Sequence, residues 1–180
     1  MTTILLARHG ETDWNVERRV QGHTDRPLNE TGRAQARSLA DELAGDEIDV
    51  VYSSDLIRAH ETARIVADRR GLGVTAIPEL RERDFGTWEG LTDDDILARF
   101  PDAHHRPWGD AETKEEMAQR VMEALRRISA AHGGARVLVV THGGPLRAVL
   151  THCGVEGIGK ILNCQVARVE VVDGHLRAVD

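Results

Sequence analysis

At 180 residues the chain is sized for one domain over residues 1–180, large enough to bury roughly 70% of the surface its extended form exposes. Apolar content is ordinary, aromatics make up 3%, and the net charge of −7 gives an acidic surface that argues against nucleic acid or an anionic membrane as main partner. An anionic small molecule is not excluded, because only Lys114 and Lys160 of the 23 basic residues are lysines and arginine is the better residue for bidentate phosphate contact.

In chain order, strands and helices alternate. Ile4-Leu5-Leu6-Ala7 is a short apolar run that predicts a buried strand. Asn29 caps a helix predicted from about Glu30 to Leu43, with Leu39 and Leu43 one turn apart and Gly45 closing it. Asp49 to Tyr52 reads as a second strand, and Ser53-Ser54-Asp55 leads a helix through Ala59, Ala63, Val66 and Ala67 that Gly71 stops. Val74 to Ile77 is a third, short strand. From Leu80 to Glu112 the pattern is irregular, broken by Gly86, Gly90, Pro101, Pro107 and Gly109, with one short helix near Asp93 to Phe100. That stretch is too long for a plain connection, so about 83–112 is expected to form a lid or pocket wall. Thr113 to Glu116 is a capping box, opening a long helix with Met117, Val121, Leu125 and Ile128 on one face. A strand from Arg136 to Val140, a helix from Pro145 to Cys153 and a strand near Arg168 to Val172 complete the chain. The alternation implies an α/β fold whose mainly parallel sheet is covered on both faces.

Cys153 and Cys164 have neither metal-type spacing nor a disulfide framework, which suits a reducing compartment. The chain enters its first strand without a charged and apolar leader, and no stretch is long enough to span a bilayer. A soluble, cytoplasmic protein is the expectation. The sequence leaves oligomeric state open and is compatible with a homodimer.

Ligands in open α/β sheets bind where parallel strands end. The first strand delivers Arg8 and His9 to that edge, the second delivers Ser53 to Asp55 with Arg58 one turn on, and the fourth delivers His142. Pro145 marks a helix start, so backbone N–H groups of Gly143 and Gly144 are expected to point at an anion. A phosphomonoester needs an in-line nucleophile, positive donors on its equatorial oxygens and an acid for the leaving group. His9 suits the first role, provided that its other ring nitrogen donates to a backbone carbonyl. Arg8, Arg58 and His142 suit the second. Glu82, just after the third strand, is chosen for the third among the equally acidic neighbours Glu79, Asp84 and Glu89, because a carboxyl beside a bound phosphate holds its proton more tightly. His23, His104 and His105 are placed at the mouth, and the remaining histidines are given no role. Asp102, His104 and His105 lack a fourth ligand at any recognised spacing, so no metal and no cofactor are expected. Trp14, Trp88 and Trp108 are read as pocket wall or core.

Arg8-His9-Gly10-Glu11-Thr12 with Trp14-Asn15 resembles the signature of the histidine phosphatase superfamily, the phosphoglycerate-mutase-like proteins. Further matches follow in order: Gln21-Gly22 with Asp25, Pro27 and Leu28; Ser53 to Leu56 leading to Arg58-Ala59 and Glu61-Thr62-Ala63; Leu80-Arg81-Glu82 with Phe85-Gly86 and Trp88-Glu89-Gly90; and Val140 to Gly144. The resemblance implies a three-layer α/β/α sandwich and a reaction without metal. It implies His9 as the phosphorylated nucleophile, Arg8, Arg58 and His142 as the rest of the phosphate pocket, and Glu82 as proton donor. It adds Asn15 as a phosphate contact and Gln21-Gly22 as a loop facing the substrate.

Mutases of this family carry a longer, basic insertion after the proton-donor glutamate. Here the segment from Gly90 to Glu112 is short, with Arg99, His104, His105 and Arg106 as its basic groups. Gly109 to Thr113 resembles a degraded Gly-Gly-Glu-Ser stretch of the phosphatase branch, with threonine for serine. The expectation is a phosphomonoesterase acting on a small phosphorylated metabolite through a phosphohistidine. A cofactor-dependent phosphoglycerate mutase and an inactive phosphate-ligand-binding protein are the alternatives.

Overall fold

A computed structural model describes residues 1–103 and 109–179. His104, His105 and Trp108 lie outside the described residues, so the expectations placed on them do too. The strands are β1 (Thr2–Arg8), β2 (Val50–Ser53), β3 (Val74–Ala76), β4 (Arg136–Thr141), β5 (Val166–Val172) and β6 (His175–Val179). The helices are α1 (Asp13–Val16), α2 (Glu30–Glu42), α3 (Ile57–Asp68), α4 (Asp93–Arg99), α5 (Lys114–Ala131) and α6 (Gly143–His152).

The six strands form one sheet in the order β3-β2-β4-β1-β5-β6. The first four run parallel and β5 and β6 antiparallel. Strand alternation sorts the central side chains into two faces. Ile4, Leu6, Val137 and Val139 pack with Met117, Val121, Leu125 and Ile128 of α5 and Leu146 and Val149 of α6. Leu5, Ala7, Leu138 and Val140 pack with Leu39 and Ala40 of α2 and Ala59, Ala63 and Val66 of α3. The result is a three-layer α/β/α sandwich.

Two departures from the sequence reading have local causes. The final strand is one arm of an antiparallel hairpin, because Asp173 and Gly174 both take positive φ (50° and 79°) and turn the chain back in two residues. An Asp-Gly pair between alternating apolar residues is the signal that would have found β6. Helix α6 starts at Gly143 with His142 as its N-cap, which places Pro145 inside the first turn, where its missing N–H costs nothing. The irregular segment carries a small core of its own. Trp88, Leu91, Ile96 and Ala103 are buried together, and Trp88 stacks on Phe100 at 5.5 Å. Backbone bonds from Val20 to Leu91 and from Gly90 to Val20 fasten it to the loop after α1.

Candidate active site

Register brings the two histidines together. Arg8 of β1 pairs with Thr141 of the adjacent parallel β4, so the next residues, His9 and His142, leave the sheet side by side. The His9 N–H donates to Thr141 O at 2.9 Å, and the imidazole centroids stand 5.1 Å apart, edge to face. His9 Nδ1 lies 2.6 Å from Gly10 O. A carbonyl can only accept, so Nδ1 carries the proton and Nε2 keeps its lone pair. Burial, then Arg58 and Arg8, hold the His9 pKa well below the ordinary imidazole value. His142 is depressed in the same way, with His9 adding to the effect. Both rings are neutral near pH 7.

Two guanidinium groups complete this cluster. Arg8 NH1 donates to Ile161 O at 2.7 Å. Arg58 sits in the first turn of α3, fully buried, where burial above all lowers its pKa to about 10. It donates to Gly22 O at 2.7 Å and to Thr24 O at 3.0 Å. The loop that supplies those carbonyls hangs on Glu89, whose carboxylate accepts from the N–H groups of His23, Thr24 and Phe85 and from the Thr24 hydroxyl. Gly22 has φ of +51°, and a Cβ there would fall 1.9 Å from Glu89 Oε1, so this turn requires glycine. Arg8 Nε, Arg58 Nε and both ring nitrogens of His142 remain buried without a hydrogen-bond partner among the described residues. Native folds seldom leave such atoms unpaired, and four of them in the cluster around one neutral imidazole fit an anion.

Glu82 follows a short 3₁₀ turn at Pro78–Leu80. Its carboxylate accepts from Arg83 N at 2.9 Å and from Gly144 N at 3.0 Å. The helix N-terminus expected to face an anion with both glycines therefore gives the Gly144 N–H to Glu82. Gly143 is left to face Arg8, and a Cβ built on it would stand 3.7 Å from Arg8 Nε. Asn15 is the N3 residue of a capping box on α1, and its Oδ1 accepts from Thr12 N and from Asn163 Nδ2. Only its amide nitrogen is left to reach a ligand. Gln21 is buried, its Oε1 accepting from the Thr12 hydroxyl at 2.9 Å.

Three features escaped the sequence reading. Asn163, in the connection before β5, donates to His9 O at 3.0 Å and so braces the loop that carries His9. Arg83 is 4% exposed, its guanidinium 4.4 Å from the Phe85 ring centroid. Gly10 and Gly32 bring two backbones into contact, since a Cβ on Gly10 would meet Gly32 O at 2.5 Å and one on Gly32 would meet Glu11 O at 2.1 Å. No sequence signal marks the first two. The third is legible only as two glycines at unrelated places. Beside the site, a groove of about 730 Å³ runs between α5 and α6, starting at Glu82 and Gly144 and walled by Phe85, Met117, Met122 and Ala148. Among the described residues no group of three His, Cys, Asp or Glu side chains is arranged to hold a metal ion, and no helix is long and apolar enough to cross a membrane.

Comparison with known proteins agrees with this arrangement. The profile of the histidine phosphatase superfamily (branch 1) matches residues 4–179. The Arabidopsis thaliana metal-independent phosphoserine phosphatase is 40% identical over 96% of this chain and 78% of that protein. The phosphoglycerate mutase-like protein 4 of the same plant is also 40% identical, over 95% and 80%. The solved structure of Bacillus stearothermophilus YhfR superposes with a TM-score of 0.90 at 35% identity, covering 99% of this chain and 95% of that one. A neutral imidazole ringed by buried cations, on a chain matched from end to end, leaves one assignment: the protein belongs to branch 1 of the histidine phosphatase superfamily.

Proposed function

We propose that this hydrolase cleaves small phosphomonoesters through a phosphohistidine at His9, with Glu82 serving first as acid and then as base. The observation that carries the reading is the His9 ring itself. Its Nδ1 proton is tied to Gly10 O, its Nε2 lone pair is free, and four unpartnered nitrogens of Arg8, Arg58 and His142 lie buried in the cluster around it. In the first step the Nε2 lone pair forms the N–P bond as the ester P–O bond breaks, and the departing alkoxide takes the Glu82 proton. In the second, water oxygen attacks phosphorus, its proton passes to the Glu82 carboxylate and the P–N bond breaks to release inorganic phosphate. Arg8, Arg58 and His142 stabilise the equatorial oxygens, where fixed donors in a dry site act most strongly. Asn15 and the Gly143 N–H are further phosphate donors in this reading, and Gln21 and Gly22 belong to the loop over the substrate.

The leaving alcohol lies on the Glu82 side, where the groove between α5 and α6 begins. Phosphoserine, the substrate in the name of one Arabidopsis relative, is the first ester to assay. Hydrolysis is favoured over phosphate shuttling because the segment from Gly90 to Glu112 is short and has only Arg99, His104, His105 and Arg106 as basic groups. The test is a phosphate-release assay over phosphoserine, sugar phosphates and 3-phosphoglycerate, with chelator present, together with acid-quenched mass spectrometry of His9. Phosphate release with an acid-labile adduct on His9 supports the reading. Conversion of 3-phosphoglycerate to its 2-isomer without phosphate release overturns the hydrolase reading, and turnover by His9→Ala overturns the nucleophile.

A further inference from the structure

The segment that bears Glu82 has no strand or helix to hold it. Residues 81–84 lie outside the regular elements, and their carbonyls still need donors. One side chain reaches two of them together with Glu79 O, and His23 Nε2 also lies 2.9 Å from Glu82 O. Arg120, from the middle of α5, donates NH1 to Glu79 O at 2.9 Å and to Arg81 O at 2.8 Å, and NH2 to Glu82 O at 2.7 Å. Its remaining donors, Nε and the second NH2 hydrogen, pair bidentately with Glu112 at 2.6 and 2.8 Å. All five guanidinium N–H groups are thereby used. Glu112 closes the clamp from the other end, since it accepts from Asp84 N and donates its own N–H to Asp84 O, both at 3.1 Å. Backbone groups on both sides of Glu82 are thus gripped by one ion pair. The helix that carries it is seated in the core through Met117, Val121, Leu125 and Ile128.

We propose that Arg120, oriented by Glu112, is the positioning residue of the proton-transfer step, fixing where the Glu82 carboxyl stands relative to the leaving oxygen. The inference rests on Glu82 being the acid. Arg120 reaches main-chain atoms of residue 82 and makes no bond to its carboxylate, to His9 or to the guanidinium groups of Arg8 and Arg58. It bonds to the backbone of the acid and to no group of the phosphate cradle, on which it acts only through its charge, as one of several that depress the His142 pKa. Arginine is required because a lysine presents three donors from a single point and cannot span three carbonyls and a carboxylate. Geometry of this kind matters to rate, since displacing a reacting group by about 1 Å can cost on the order of 10²-fold.

The test compares Arg120→Lys and Glu112→Gln with the parent on two esters, phosphoserine as a poor leaving group and 2,4-dinitrophenyl phosphate as a good one. A displaced acid should lower kcat on phosphoserine on the order of 10- to 10²-fold while changing turnover of the dinitrophenyl ester less than about 3-fold. Inhibition by inorganic phosphate should be unchanged in Arg120→Lys, because that variant keeps the charge that His142 senses and breaks no bond of the cradle. Equal losses on both esters would mean that Arg120 only supports the fold and would overturn the proposal. Glu82→Gln is measured alongside. If it shows no preference for the good leaving group, Glu82 is not the acid and the underlying assignment fails. If it does while the clamp variants do not, that assignment stands and the positioning role falls. Adding Arg120→Lys to Glu82→Gln should then cost nothing further on phosphoserine, and additive losses would overturn the role. Glu112→Gln keeps a neutral acceptor and the backbone bonds to Asp84, so it serves if Arg120→Lys folds poorly.

Discussion

The two halves of the site are held in opposite ways. The phosphate cradle is made by the sheet: Arg8 and His9 end β1, His142 follows β4, and one parallel register sets the rings 5.1 Å apart. The acid is borne on an irregular segment whose place is set by side chains from α5 and from the stretch before it. Backbone pairing fixes the part that must meet every phosphate ester alike. A side-chain clamp fixes the part that meets the leaving group, which is where esters differ. On the proposed roles, affinity for phosphate and choice of leaving group should be separable.

The hardest way to break the first half is to remove its nucleophile. His9→Ala should abolish phosphate release on every ester, by about 10⁶-fold in analogy with other nucleophile deletions, as read in a steady-state assay. Arg58→Ala comes next, with a loss on the order of 10²–10³ in kcat that is the same for good and poor leaving groups, because the lost contact is to phosphate. The second half breaks differently. A Cβ on Gly144 would lie 2.1 Å from Glu82 Oε1, so Gly144→Ala should push the carboxylate aside. Its cost, about 10-fold or more on alkyl esters, should shrink on the dinitrophenyl ester.

The cradle also leaves a mark on stability. Folded His9 and His142 stay neutral far below the ordinary value of 6.5, whereas in the unfolded chain they take up protons near it. Below about pH 6.5 the unfolded form binds more protons, so stability falls with pH there, by up to ~1.4 kcal/mol per unit for each ring, and is unaffected above it. Denaturant melts at pH 7.5, 6 and 5 should show this, with a shallower slope in His142→Gln. The smallest effect tests the outer layer alone. Asn29 Oδ1 caps α2 through Gly32 N at 2.8 Å, and Asn29→Ala should cost about 1 kcal/mol in a denaturant melt.

Legibility in the sequence follows the same division. His9, His142 and Arg8 sit next to apolar runs, so local pattern places them at strand ends, and Asn29 and Thr113 announce their helices. Glu82 follows the third strand, and the motif resemblance points to the same residue. Nothing nearby in sequence says what keeps it in place. Arg120 looks like any polar residue on the outer face of an amphipathic helix, and its partners are 38 to 41 residues earlier in the chain. Arg83 is buried against Phe85, and a cation stacked on an aromatic ring carries no periodic signature. Long-range polar contacts leave no period, and the acid's supports were invisible for that reason.

The contact between Gly10 and Gly32 reaches further than packing. Gly10 supplies the oxygen that keeps the proton on Nδ1 of the reactive imidazole, and its own place depends on how closely the first turn of α2 can approach. A methyl group at position 32 would lever that turn away and loosen the carbonyl's hold on the ring. In the proposed mechanism, the choice of attacking nitrogen is in this way governed from the outer layer of the sandwich, by a residue outside the cluster of Arg8, Arg58 and His142.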